Sequence, residues 1–301
     1  MHLESNSWSI IAHGGVNSFK AAHEKELWKE GLRQVIAAGS KILDSGGSAL
    51  DTVEAAVKIL ETNPSYNAGL YGSVKNEDGV INLDASIMDG KTLDIGAIAG
   101  LQNIEHPISV ARALLAEKPI FLIGEGLEKF AEEKGFKKLP DADVYGKTAK
   151  TKKNIEKYNH NKKDGDTVGC VARDMHGNLA VATSTGGIKG VKAGRVGDVP
   201  LPGCGFYANN SRAAISASGV GELIARVTLA AQFLDFMKQT DPQKAINLAL
   251  TSLNQVNGKA GLIVITATGE IFWGHNSGGF VVGYADSNHS DPKVYLRKSE
   301  E

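Results

Sequence analysis

The 301-residue chain is poor in cysteine, proline and aromatic residues, with two cysteines, eight prolines and 6% Phe, Trp and Tyr. Cys170 and Cys204 have no metal-ligand spacing, which excludes a disulfide framework and a cysteine zinc site and leaves them as small buried residues. Charge of one sign is also missing. The 33 basic residues balance 34 acidic ones, so no global field recruits nucleic acid or an anionic membrane, and small polar partners remain. No apolar run is long enough to span a bilayer, and Met1 to Ser7 lacks a basic segment leading into an apolar one. The chain therefore reads as cytoplasmic. Without a secretion signal, the sequons Asn209-Asn210-Ser211 and Asn288-His289-Ser290 carry no weight. There is no internal repeat, and none of the eight histidines sits in a recognisable hydrolase motif.

What is present is a mixed pattern of strand and helix signals. An apolar run, Trp8 to Ala12, ends at His13-Gly14-Gly15 and leads to a helical pattern from Ala21 to Leu43. Asp44-Ser45-Gly46-Gly47 breaks that helix. Ser48 then caps a second from Ala49 towards Glu61, with Val53, Ala56, Val57 and Leu60 on one face. Strands are expected at Val80–Met88 and Ile95–Ala99, with Leu83–Gly90 read as a buried strand and turn in which Asp84 and Asp89 have no assigned role. Helical patterns cover Pro107–Leu115 and Leu127–Lys134, on either side of the apolar run Ile120–Ile123. From about Lys137 to Asp166 the chain turns lysine-rich and polar, as a surface linker does. Little aromatic interleaving and no basic surplus argue against a nucleic-acid arm there. Beyond it, Thr167–Arg173 and Asn178–Ser184 form a hairpin pattern around Met175-His176-Gly177. A long helix is expected after Gly219-Val220-Gly221 and another at Pro242–Asn254. Closing strands are read at Gly261–Thr266, Ile271–Trp273 and Gly279–Tyr284.

Three glycine-framed segments carry the chemistry. In Gly165-Asp166-Thr167-Val168-Gly169, cleavage of the bond between Asp166 and Thr167 would give Thr167 a hydroxyl and a free α-amine on one residue. Such an amine titrates near ~7.7 and can take the hydroxyl proton at neutral pH without a histidine. By itself the pentapeptide also suits a turn entering a buried strand. Thr183-Ser184-Thr185-Gly186-Gly187 presents hydroxyls where the backbone allows close approach. Gly194-Arg195-Val196-Gly197-Asp198 offers a guanidinium and a carboxylate three residues apart, the complement of an amino acid's carboxylate and ammonium. A surface ion pair is the plain alternative for that spacing.

Together with His13-Gly14-Gly15, Asn67-Ala68-Gly69, Leu83-Asp84-Ala85-Ser86-Ile87-Met88-Asp89-Gly90 and Gly219-Val220-Gly221-Glu222, these segments resemble the N-terminal-nucleophile asparaginase family over nearly the whole chain. That family includes plant-type L-asparaginase, isoaspartyl peptidase and glycosylasparaginase. The resemblance implies an α+β fold, a four-layer αββα sandwich. It implies a single domain over 1–301 that cleaves itself into an α subunit, 1–166, and a β subunit, 167–301, and a dimer of cleaved protomers. It further implies Thr167 as nucleophile, Thr185 as a second catalytic hydroxyl bonded to it, Asn67 as a carboxamide beside it, and Ser218 with the Gly219 N–H as oxyanion hole. Arg195 and Asp198 would bind the substrate's α-carboxylate and α-amino group, with Gly219 and Gly221 lining the site. No redox cofactor or catalytic metal is implied. A structural sodium ion is, on the carbonyls of Leu60, Glu61, Asn63, Tyr66, Ala68 and Leu70, since carbonyl oxygens suit a hard cation. The sequence departs from the family at Ser218, where threonine is usual. The donor is kept and the methyl that restricts its rotamer is lost.

His13-Gly14-Gly15 and Gly186 look like the asparaginase and isoaspartyl peptidase branch, whereas Asp166 before the nucleophile looks like the glycosylasparaginase cleavage site. Asp166 reads either as a base or strain element of self-cleavage or as a tolerant position. The expected reaction is hydrolysis of a β-aspartyl amide through an acyl-threonine, releasing aspartate. The alternatives are a glycosylasparaginase, a protein-cleaving threonine protease of the same family, and a relative that never matures and acts as a binding protein.

Overall fold

The computed structural model describes residues 7–16, 22–141, 143–144 and 166–301, so most of the lysine-rich linker lies outside the described residues. The architecture is mixed α+β, built on two sheets. The first half of the chain gives β1 (Ser9–Val16), α1 (Ala22–Asp44), α2 (Ala49–Thr62), the short α3 (Gly69–Gly72), β2 (Leu83–Asp89), β3 (Ile95–Leu101), α4 (Pro107–Leu114), β4 (Phe121–Ile123) and α5 (Gly124–Glu133). The second gives β5 (Thr167–Arg173), β6 (Leu179–Thr185), β7 (Phe206–Ala208), β8 (Ala213–Gly219), α6 (Gly221–Val227), α7 (Leu229–Phe236), α8 (Pro242–Ser252), β9 (Ala260–Thr266), β10 (Ile271–His275), β11 (Phe280–Asp286) and β12 (His289–Tyr295). Eight strands pair in the order β12-β11-β1-β5-β6-β2-β3-β4, and four in the order β10-β9-β8-β7.

Local chemistry sets the helix ends. Ser48 Oγ accepts from the Asp51 N–H at 3.1 Å to start α2, and Asp241 caps α8 with Pro242 in its first turn, where no donor is needed. The single long helix expected after Gly221 is instead two, because Thr228 adopts φ 48°, a left-handed conformation that ends α6 and opens α7. The strand expected from Val80 begins only at Leu83.

Strand alternation sorts side chains into three cores. Val168, Cys170 and Ala172 of β5 join Ile10, Ala12 and the apolar faces of α1, α2 and α4. Ala213, Ile215 and Ala217 of β8 join α6, α7 and α8. The opposite faces meet each other, with Ile11, Val171, Val181 and Met88 of the larger sheet packing with Ala214, Ile263 and Ile265 of the smaller one. Both cysteines are buried and free.

Candidate active site

At one end of the layer between the sheets the side chains become polar. Thr167, the first residue of β5, stands opposite Thr185, the last of β6, and Thr185 stands opposite Asp84 of β2, so the three share one row across three strands. Residues directly opposed in a sheet point to the same face, and all three are buried. From the other sheet Ser216 and Ser218 of β8 enter the same space, again fully buried.

The peptide between Asp166 and Thr167 is gripped from two sides. Its carbonyl oxygen accepts from Asn67 Nδ2 at 3.0 Å and from Thr185 Oγ1 at 3.1 Å. Its N–H, that of Thr167, points to Ser218 Oγ at 3.4 Å, and the Val16 N–H reaches the same oxygen at 3.3 Å. Asn67 has no freedom to turn, since Nδ2 also donates to the Gly187 carbonyl at 2.7 Å while Oδ1 accepts from Val74 N–H at 3.0 Å. The Thr185 hydroxyl is likewise oriented, because its oxygen accepts from Gly187 N–H at 3.1 Å and its proton goes to the Asp166 carbonyl. The Thr185 hydroxyl thus meets the carbonyl of the peptide that leads into Thr167. Gly15, at φ 111°, lets β1 pass this close, as a Cβ there would stand 2.7 Å from Asp166 Cβ.

Thr167, Thr185, Arg195, Asp198, Gly219 and Gly221 line one cleft with about 10 Å³ of free space, roughly the room one water needs. Ser218 and Asn67 border it through the bonds above. A roomier groove, about 550 Å³, runs along α5 past Leu101 and Phe136, and no sequence-predicted site residue lines it.

Arg195 does not pair with Asp198 as an isolated surface couple would. Its Nε and Nη2 bind Glu222 of α6 in a fork, at 2.7 and 2.8 Å, and the other edge of the guanidinium remains for a second carboxylate. Asp198 is buried, and a Cβ on Gly221 or Gly205 would come within 2.8 Å of its carboxylate oxygens. Burial pushes the Asp198 carboxyl up to about 7, with Arg195 opposing and Glu222 and Asp84 reinforcing the shift. Its Oδ2, on the Gly205 side, is buried without a hydrogen-bond partner among the described residues, and its Oδ1 adjoins Gly221 at the cleft.

Two further buried groups stand here without a sequence assignment. His13 Nε2 meets Ser216 Oγ at 2.7 Å, and burial lowers the imidazole to about 3, so it is neutral at pH 7. Asp84 accepts from Gly100 N–H at 2.9 Å and lies within the field of Arg195. Asp84 and Ser86 occupy the inward face of β2 where Met88 continues it, so two polar residues in succession point into a core layer. Below β6, on the helix side, Ser184 donates to Glu61 Oε1 at 2.7 Å, and that fully buried carboxylate also takes the Ile108 N–H at 3.1 Å.

Comparison with known proteins finds relatives of this sequence. The family model described as Asparaginase matches residues 6–294. The chain is 44% identical over 272 residues to the isoaspartyl peptidase/L-asparaginase of Mus musculus, covering 87% of this chain and 82% of that protein. It is 41% identical over 272 residues to the protein of that name in Homo sapiens, covering 87% of each. With the isoaspartyl peptidase of Salmonella typhimurium it shares 36% identity over 304 residues, 93% of this chain and 96% of the relative.

Proposed function

The chain belongs to the asparaginase family, and from that premise we propose a self-cleaving threonine amidohydrolase that releases L-aspartate from L-asparagine and β-aspartyl dipeptides. The observation that carries the reading is the Asp166 carbonyl, held by two oriented donors beside a threonine that shares a cleft with Arg195 and Asp198.

The same residues serve two successive reactions. In maturation, Thr167 Oγ1 attacks the Asp166 carbonyl carbon, and the charge that develops on oxygen is received by Asn67 Nδ2 and Thr185 Oγ1. The C–N bond breaks, the acyl group passes to the hydroxyl as an ester, and water then hydrolyses it, leaving Thr167 with a free amine. In turnover, that amine takes the hydroxyl proton and the hydroxyl attacks the substrate's side-chain carbonyl. Ser218 Oγ, which accepts two N–H groups in the uncleaved chain, keeps its own proton to donate, and with Gly219 N–H it forms the second oxyanion site. The free edge of Arg195 holds the α-carboxylate, and the Asp198 carboxylate, whose Oδ1 adjoins Gly221 at the cleft, receives the ammonium. Ammonia or an amino acid departs, and water releases aspartate from the acyl-threonine.

The remaining readings are consistent with this scheme. Three cores, one under each helical group and one between the sheets, support a four-layer αββα sandwich as a single domain. Cleavage would divide it into 1–166 and 167–301, and two cleaved copies would pair as (αβ)2. Among the described residues no helix is long and apolar enough to cross a membrane. The carbonyls of Leu60, Glu61, Asn63, Tyr66, Ala68 and Leu70 would hold a sodium ion, which would fasten the loop bearing Asn67. The fit is favourable at Gly69, whose φ of 62° brings the chain back against the Glu61 carbonyl, although the Asn63 carbonyl already takes Tyr66 N–H at 3.2 Å.

Assaying aspartate release from asparagine, a β-aspartyl dipeptide and glycosylasparagine tests the reading. Release from the first two is expected. Release only from glycosylasparagine would move the chain to that branch, and release from none would leave the non-maturing relative.

A further inference from the structure

Beyond the groups that meet the substrate, we propose that Asp84 is a positioning residue that holds Arg195 and the 194–198 turn in substrate-binding geometry, acting from behind the guanidinium. The proposal rests on the reading of Arg195 and Asp198 given above.

The geometry begins with the sheet. Asp84 stands in the row that carries Thr185 and Thr167, two strands from the nucleophile. Its carboxylate is buried and anchored from β3 by Gly100 N–H at 2.9 Å. On the other side it faces the Gly197 N–H and the charge of Arg195. Gly197 is the part of the turn that touches the guanidinium, since a Cβ on it would lie 2.9 Å from Arg195 Nη1. A small cavity bounded by Asp84, Asn82, Gly187 and Arg195 lies on this rear side, while Arg195 also borders the cleft of Thr167. Arg195 is therefore a wall between two spaces, with Glu222 fixing one edge and Asp84 standing behind.

A bare buried carboxylate is costly, and burial lifts the Asp84 carboxyl to about 6 despite the Gly100 N–H, Arg195 and the Gly197 N–H. A strand needing only shape at this position would be served by an apolar residue or an amide. Keeping a carboxylate there does two things. It sets a negative charge beside the turn that packs on Arg195, across a shared cavity, and it neutralises part of a guanidinium that must stay fixed when the substrate is absent.

The same charge has a second effect. Asp198 is faced by Arg195 from its own turn, Glu222 from α6, Asp84 from β2 and the Cys204 thiol from the segment before β7. Asp84 is one of the negative neighbours that raise it, so removing Asp84's charge lets Asp198 ionise at lower pH.

The test compares wild type with Asp84→Asn on L-asparagine and a β-aspartyl dipeptide, from pH 5 to 9, after intact mass has shown whether each chain is cleaved. The expected result is a matured variant with kcat within about threefold of wild type and KM raised about tenfold or more. The acid limb of kcat/KM should move to lower pH, a change that a purely structural residue would not produce. An Asn variant that matures and keeps both KM and the acid limb overturns the proposal. If it does not mature, Asp84→Glu, which retains the charge, is measured. Raised KM with kcat kept supports positioning, whereas unchanged KM overturns it, as does failure of both variants to mature, which would make Asp84 a folding residue. Inactivity of matured wild type on both substrates would instead sink the functional reading.

Discussion

Ile11, Val171, Val181 and Met88 lie on the same strands and the same sheet face as His13, Thr167, Thr183, Thr185, Asp84 and Ser86, only a few residues away. The first group forms a dry core with Ala214 and Ile263. The second meets Ser216 and Ser218 and builds a buried polar network, with Ser86 Oγ and Thr183 Oγ1 at 2.7 Å and His13 Nε2 and Ser216 Oγ at 2.7 Å. Polar groups taken out of water cost free energy unless each finds a partner. The apolar end is what folding selects. The polar end, with Asp198 Oδ2 left without a partner among the described residues, is what folding alone would remove. One slab of the molecule thus contains a region tuned for stability beside one tuned for chemistry.

Breaking the polar end at its centre should have the largest effect. Thr167→Ala removes the nucleophile proposed for both reactions, so the chain should remain a single species by intact mass and release no aspartate. Next, Asn67→Ala removes one of two donors to the Asp166 carbonyl and should slow self-cleavage by about 10²–10³-fold, followed by the appearance of two fragments on a gel.

Asp198→Asn sharpens the contrast because its two effects have opposite sign. Burial raises the Asp198 carboxyl from 3.8 to about 7, so the folded chain holds a proton that the unfolded chain releases. That contribution to stability is complete below about pH 4 and is lost as pH rises through about 7. At pH 8 the neutral variant should therefore melt a few degrees higher than wild type. Its KM should nevertheless rise steeply, because an ammonium no longer meets a carboxylate. In wild type the same titration should raise KM as pH falls through about 7, measured on the matured enzyme.

The smallest effect is expected at the dry end. Ile263→Leu conserves volume in the apolar layer and should cost under about 1.5 kcal/mol in denaturant unfolding, with kcat and KM unchanged. An equal loss of activity there would erase the distinction between the two regions.

Much of the polar end was legible in the sequence because glycines frame it. Thr167, Thr185, Arg195, Asp198 and Gly221 all stand in glycine-framed motifs of the sequence, and they line one cleft. The hairpin pattern around Met175-His176-Gly177, following the polar linker, located β5 to the residue. What sequence reading missed has physical causes. β8, Ala213-Ala214-Ile215-Ser216-Ala217-Ser218-Gly219, is too rich in alanine and serine to announce a strand, and tertiary pairing with β9 makes it one. Thr228 breaks a helix without glycine or proline, so nothing local marked it. Asp84 and His13 were hidden because a carboxylate or imidazole inside a buried strand takes its meaning from residues more than a hundred positions away, Arg195 and Ser216 respectively.

The central claim is that this polar end first acts on its own backbone. Intact mass of freshly purified and aged protein, with N-terminal sequencing of each fragment, tests it most directly. The account predicts conversion of the whole chain into two pieces, the second beginning at Thr167, with aspartate release rising in step. A chain that stays whole while hydrolysing a β-aspartyl dipeptide, or a new terminus elsewhere, would contradict it.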